Sequence, residues 1–480
     1  MAGLDRLSGP DLLMLQSEES GWPMHIGVVA VLEGGALVDG GALLDANGRF
    51  CVDAARQAVG RRLYRVPRFR QVLQVPPRLL GPPLWVDAPG VDLARHVHVV
   101  HLAPPAGTAE LVQVVEELWS PRLDLARPPW EMWFLPGLAG GRVGVLLKLH
   151  HVVADGVGGM ALLGALLDRD VTGEPPPSDR PPEAPPTTSA LLRDQLRRLR
   201  PSGRAVAALA HPVALGRRTN QVWWALRELA AVRRVPPTSL DRVVGPGRRL
   251  RVLSARLDLL HDVAHAHGAT VNDVLLAAVA GGLRALLQSR GEDVHDLHPL
   301  AYEPVTLLLR RAAAARPDEG GMIFVPLPLG VDDPVERLRR VAVAAAGCKQ
   351  HVIPAPAGGP NRSRLVRRLM MRFAARQRWA DVYVANIPGP RTPLYLAGAR
   401  VLELYPVVPL AGRTPVGVGA LSYAGRVGIT VVADRDACPD IEIFTEGLRA
   451  ALAALEHAAP TAARPPDAPT AAGRERRAHR

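Results

Sequence analysis

Short apolar runs bounded by polar or turn residues recur along the chain. Gly144-Val145-Leu146-Leu147 has the character of a buried strand, and the wider run Val143 to Leu149 leads straight into His150-His151. Ile323-Phe324-Val325-Pro326-Leu327 and Val427-Gly428-Ile429-Thr430-Val431-Val432 predict two further strands. Asn272 to Leu287 is rich in Ala and Leu, starts on polar residues and is followed shortly by Gly291, which predicts a helix. Strands and helices alternate irregularly through two comparable halves. That pattern predicts an α/β fold of two domains.

Punctuation divides the chain further. Residues 1–170 read as an N-terminal α/β domain and 248–457 as a second one. Between them, 171–247 opens with Pro175-Pro176-Pro177, Pro181-Pro182 and Pro185-Pro186, which can continue neither a helix nor an interior strand. The rest of that linker reads as helical and basic. From Leu191 to Arg234, arginines alternate with Leu, Val, Trp223 and Trp224. Such a segment suits docking on an anionic membrane or lipid droplet. An interdomain helix with a solvated basic face suits it better, because Pro201, Gly203 and Pro212 interrupt its pattern. Residues 458–480, rich in Ala, Pro and Arg, read as a disordered tail.

Composition narrows the function classes. A length of 480 residues predicts two or three domains, and 48% hydrophobic against 22% charged residues excludes a disordered chain. The net charge of +12 suggests anionic partners. The basic residues are almost all arginine, with Lys148 and Lys349 the only lysines, so compositional bias is an equal explanation. Aromatics at 4% leave no stacking platform, and no nucleic-acid motif is present, so no nucleic-acid partner is expected. Cys51, Cys348 and Cys438 form no CxxC pair, which predicts a reduced, cytoplasmic setting. Asp5, Arg6 and Asp11 break the N-terminal apolar stretch, so no signal peptide is expected there. No run reaches the ~18–20 apolar residues of a membrane span, so membrane contact is expected to be peripheral.

The strongest chemical signal is His150-His151-Val152-Val153-Ala154-Asp155-Gly156, between a strand and a helix start. Adjacent residues on an extended segment point to opposite sides, so one imidazole can face a cavity while the other packs inward. An imidazole with its ordinary pKa of about 6.5 is a proton acceptor near neutrality. Asp155 reads as the residue that holds the turn, and Gly156 as one that permits a backbone a Cβ would resist. Metal sites fit less well. His96, His98 and His101 lack a completing carboxylate or Cys, and His261-Asp262-Val263-Ala264-His265 has Asp where the zinc motif needs Glu. No metal or bound cofactor is expected.

HHxxxDG is the signature of the CoA-dependent acyltransferase superfamily, and the wider chain resembles the bacterial wax ester synthase/diacylglycerol acyltransferase family from about Leu4 to Leu455. Pro23-Met24-His25-Ile26-Gly27 resembles its PMHxG, and Arg127-Pro128-Pro129-Trp130-Glu131 stands at its PLW motif with Pro129 in place of Leu. Thr270-Val271-Asn272-Asp273 matches its TVND segment, Asn386-Ile387-Pro388-Gly389-Pro390 resembles NVPGP, and Leu421-Ser422-Tyr423-Ala424-Gly425 matches LSYxG. Gly320-Gly321 and Asp241-Arg242 depart from the family's usual Gly-Asn and Asn-Gly pairs, which bears on substrate preference.

The resemblance implies two chloramphenicol-acetyltransferase-like mixed-sheet domains joined by a helical crossover linker, with a tunnel at their interface. It implies acyl-CoA as co-substrate, and diacylglycerol or a long-chain alcohol as acceptor. His151 would be the general base, with His150, Asp155 and Gly156 supporting it. Asn272, Asp273 and Asn386 would sit at the interface or tunnel. The residues alone leave alternatives open. Asn272 and Asp273 read equally as a helix start, and Asn386 as part of a rigid turn. The chain as a whole reads alternatively as a condensation-type acyltransferase or a non-catalytic lipid-droplet protein.

Overall fold

The computed structural model describes residues 4–34, 43–45, 49–77, 80–154, 156–170, 182–199, 237–306, 320–350, 352–354 and 380–458. Asp155, the Pro-rich stretch up to residue 181, residues 200–236 with Trp223 and Trp224, and the tail from 459 lie outside the described residues.

Two mixed sheets organise the described residues. In the first, β1 (His25–Leu32) pairs antiparallel with β6 (Val143–His150), which pairs with β5 (Trp130–Pro136), and β4 (Val97–Val99) closes that edge parallel to β5. In the second, seven strands run in the order β10 (Ile353–Pro354), β9 (Gly320–Pro326), β8 (Leu300–Thr306), β11 (Val382–Ile387), β14 (Val416–Tyr423), β15 (Arg426–Asp434) and β7 (Arg248–Arg256). β11 is parallel to both of its neighbours. The fold is therefore α/β with two sheet-rich halves, and β6, β9 and β15 lie where the apolar runs predict strands. A two-stranded ribbon, β2 (Gln71–Gln74) with β3 (Leu84–Asp87), flanks the first sheet.

The helix predicted over 272–287 is α7 (Val271–Ser289). Thr270 and Asp273 form a reciprocal capping box at its start, and Gly291 adopts φ +77° just beyond its end. By length and composition α7 is apolar enough to cross a membrane, yet it is the core helix of the second half. It packs against α9 (Ile441–Ala458), α8 (Pro334–Cys348) and α6 (Leu257–Ala266) on one face of the second sheet.

The boundary at residue 248 does not separate two independent units. Residues 395–407, expected to belong to the C-terminal domain, pair in the first sheet instead: β13 (Ala399–Val407) runs antiparallel to β1, with β12 (Tyr395–Leu396) outside it. β13 is mixed over Ala399–Glu403 and buried without interruption from Leu404 to Val407, a pattern that does not identify its partner. What decides is that β1 has a free edge and that the second sheet receives β13 closely across its face. Gly428 on β15 makes this possible, since a Cβ there would lie 1.9 Å from the Leu404 carbonyl oxygen. Tyr423 fastens the same crossover. Its buried hydroxyl accepts from Leu394 N–H at 2.8 Å and donates to the Val401 carbonyl at 2.9 Å.

A third core cluster lies between the halves. It joins Val29, Val31 and Leu146 of the first sheet, residues of α3 (Thr108–Trp119), and Leu250, Ala385 and Val432 of the second sheet. Glu116 of α3 accepts from Leu250 N–H at 2.6 Å and pairs with Arg251 at 3.0 Å, capping the edge strand β7.

Candidate active site

β6 presents Val143, Val145, Leu147 and Leu149 to one core and Leu146 to the core between the halves. This alternation places His150 on the same face as Leu146 and Lys148, and His151 follows in the turn beyond the strand. The His150 side chain is fully buried, and both of its ring nitrogens are engaged: Nδ1 accepts from Val152 N–H at 3.1 Å, and Nε2 lies 2.5 Å from the Glu18 carboxylate of α1 (Gly9–Glu19). A nitrogen that accepts carries no proton, so the network assigns the proton to Nε2, which donates to Glu18. His151 is half-buried just beyond the strand. Its backbone N–H donates to the Met24 carbonyl at 2.8 Å, and His150 N–H donates to the Pro129 carbonyl at 3.0 Å. The PMHIG and RPPWE segments are thus the backbone supports of the histidine pair.

His25 is the cross-strand partner of His150. Burial first, then the nearby Lys148 ammonium and His150, push its pKa down to about 2, so the ring is neutral. Trp130 is a core residue: it stacks between Phe69 and His96, and its indole N–H donates to the Phe69 carbonyl at 3.0 Å. His96 in turn donates through Nδ1 to the Trp130 carbonyl at 2.8 Å, and His98 stacks on Trp133. His98, His101, Phe50, Arg56 and Trp133 line an open cavity of about 400 Å³ at the β4 edge. Its lining does not include His151.

The helix α4 (Gly156–Leu166) begins within the histidine motif. The turn after β11, the strand whose penultimate residue is Asn386, packs against it: an added Cβ at Gly389 would lie 3.6 Å from Met160 of α4 and 2.1 Å from the Ser422 carbonyl oxygen. Gly389 N–H also donates to Ser422 Oγ at 3.1 Å. The fold therefore brings Asn386, half-exposed, to the same end of the molecule as α4. Gly389→Ala has no room without moving backbone, and overpacking of this kind costs about 1–3 kcal/mol. We expect a lower melting temperature and slower acyl transfer for this variant. An unchanged melt would mean that the turn is free to shift.

Asn272 and Asp273 are placed differently. Asp273 caps α7, accepting from Thr270 N–H at 2.9 Å and from Thr270 Oγ1 at 2.7 Å. Together with Asn272 it stands beside Glu303 and Lys349. Burial raises the Glu303 carboxyl to about 7, opposed by the Lys349 ammonium and a hydrogen bond with Asn272. The helix-start reading of Asp273 is what the geometry displays.

The profile of the wax ester synthase/diacylglycerol acyltransferase catalytic domain matches residues 7–275, and that of the WS/DGAT C-terminal domain matches residues 319–456. The chain belongs to this family. Among family relatives, a probable diacylglycerol O-acyltransferase of Mycobacterium tuberculosis H37Rv is 32% identical, with 90% of each chain covered. A second, putative diacylglycerol O-acyltransferase of that strain is also 32% identical, over 97% of this chain and 100% of the other. The fold matches the wax ester synthase/diacylglycerol acyltransferase from Marinobacter aquaeolei VT8 with a TM-score of 0.66 and 24% identity, covering 95% and 99% of the two chains. The starter condensation domain of rhizomide synthetase, solved in complex with C8-CoA, shares the fold at a TM-score of 0.56 and 14% identity, with 95% of each chain covered.

Two buried charged residues beside the histidine pair of this WS/DGAT-family chain were not legible as its neighbours. Glu18 sits 132 positions from His150. The signal it carries is an acid three residues after Leu15 on a helix, where the apolar face continues. Lys148 interrupts an apolar strand, and its side chain is fully buried.

Proposed function

We propose that this protein transfers a fatty acyl group from acyl-CoA to diacylglycerol or a long-chain alcohol, with His151 as the general base. The observation that carries this is the place of His151, half-buried where β6 hands over to α4 and supported by the Met24 carbonyl. His150 beside it is fully buried, held by Glu18 and the Val152 N–H, and so keeps the turn that carries His151 in place.

The imidazole of His151 takes the proton of the acceptor hydroxyl as its oxygen attacks the thioester carbonyl carbon. The tetrahedral intermediate collapses with cleavage of the C–S bond, and the imidazolium returns the proton to the departing thiolate of coenzyme A. The products are an ester and free coenzyme A, and no enzyme nucleophile is consumed. Both substrates are amphiphiles, which favours work at a lipid surface. Helix α5 (Thr188–Leu199) supports that placement, with Leu192 and Leu196 exposed beside Arg193, Arg197 and Arg198. On this reading the protein works peripherally at a cytoplasmic membrane or lipid-droplet surface.

The test is turnover by the purified full chain with palmitoyl-CoA and either dioleoylglycerol or hexadecanol, following thiol release and the ester product. Acceptor-dependent release of thiol is expected. Binding of these lipids with no ester formed would reject the enzyme reading in favour of a lipid-binding protein.

A further inference from the structure

We propose that Lys148 is a positioning residue for acyl transfer, clamping the end of α3 and the segment 120–129 beneath the histidine pair. The inference rests on the reading of His151 as the base.

Lys148 lies on β6 two residues before His150, on the face turned toward α3, and its side chain is fully buried. Its ammonium donates to the Leu118 carbonyl at 3.2 Å and, through a shorter contact, to the Pro121 carbonyl. Leu118 lies in the last turn of α3, where carbonyls lack intrahelical partners and a positive charge is favoured. The clamp therefore caps a helix C-terminus with a cation delivered from a neighbouring strand. Glu131, its cross-strand neighbour on β5, supplies a counter-charge.

The clamped segment matters because it holds the strand ends that carry the histidine pair. Between Ser120 and Pro129 the chain offers Leu123 N–H to His25 Nε2 at 3.4 Å, and the Pro129 carbonyl to His150 N–H at 3.0 Å. His151 projects from just beyond these two contacts. A compact ammonium can reach two carbonyls at a crowded helix end, whereas a planar guanidinium is bulkier. That accounts for a lysine at this position in a chain whose other basic residues, Lys349 apart, are all arginine.

The charge on Lys148 is poised to titrate. Burial lowers its pKa to about 8, opposed by Glu131 on β5 and Glu18 on α1. His25 on β1 and His150 on β6 adjoin the same layer, and Arg248 on β7 adds positive potential at His25. The signs separate a positioning role from a purely structural one. Above about pH 8 the folded chain loses this proton, while an unfolded lysine keeps its own until about pH 10.4. The unfolded state then binds more protons, so the contribution of Lys148 to stability rises with pH. The clamp weakens over the same range, so kcat falls while stability gains.

The experiment compares wild type, Lys148→Met and Lys148→Gln, with kcat and KM for palmitoyl-CoA and dioleoylglycerol, melting temperature, and amide hydrogen exchange over residues 120–129, from pH 7 to 9.5. We expect kcat of Lys148→Met to fall at least about tenfold at pH 7, with KM for acyl-CoA within about twofold; orientation effects reach about 10²-fold. The wild-type decline above pH 8 should be missing in both variants, and exchange over 120–129 should quicken. Lys148→Met with near wild-type kcat, or an alkaline decline unaltered in it, overturns the proposal. If neither variant folds, a wild-type kcat that stays flat from pH 7 to 9.5 overturns it. If wild type turns over no acyl-CoA, the functional reading fails instead. The exchange measurement then still decides the clamp, which is rejected if segment 120–129 is as protected without the lysine as with it.

Discussion

His151→Ala is expected to lower acyl transfer by about 10²–10⁴-fold, the contribution typical of a positioned general base. The loss should fall on kcat for both diacylglycerol and alcohol acceptors, because deprotonation of the hydroxyl is common to the two. Stability should fall less than in His150→Ala. The ring is half-buried, and the hydrogen bond that anchors this residue to Met24 is made by its backbone, which alanine retains. His150→Ala provides the contrast: it removes a fully buried ring with two partners and is expected to depress the melting temperature as well as turnover. Steady-state kinetics by thiol release, with melting curves on the same samples, separate the two. Wild-type turnover in His151→Ala would sink the assignment of the base.

Glu18→Ala carries the second-largest effect. The Glu18 carboxylate is buried and accepts from His150 Nε2. Its removal leaves the buried imidazole N–H without a partner, at a cost of about 1–3 kcal/mol. It also frees the ring that fixes the start of the 151–153 turn, where Val152 N–H donates to His150 Nδ1 and Val153 N–H to the His150 carbonyl. A displaced catalytic group can cost up to about 10²-fold in rate, and kcat is expected to fall on that scale. Glu18→Gln keeps an oxygen able to accept the same hydrogen bond, so it should recover most of the stability and much of the rate. If Glu18→Ala and Glu18→Gln behave alike, the hydrogen bond to His150 is not what Glu18 contributes.

The local patterns proved readable. β6, β9, β15 and α7 lie where apolar runs and end signals predict them, because those signals act between residues close in the chain. The strand-to-helix setting of HHxxxDG was readable for the same reason, with β6 ending at His150 and α4 starting at Gly156.

The sequence by itself therefore determined the kinds of element, the two α/β halves and the motif that carries the chemistry. Only the tertiary structure decided which strand lies beside which, that Glu18 meets His150, and that Lys148 caps α3. It also sent residues 395–407 across to β1. The reason is that an isolated amphipathic strand or a single buried charge is compatible with many partners. The choice is made when a free sheet edge, a glycine without a Cβ or an unpaired helix-end carbonyl, distant in the chain, comes within reach.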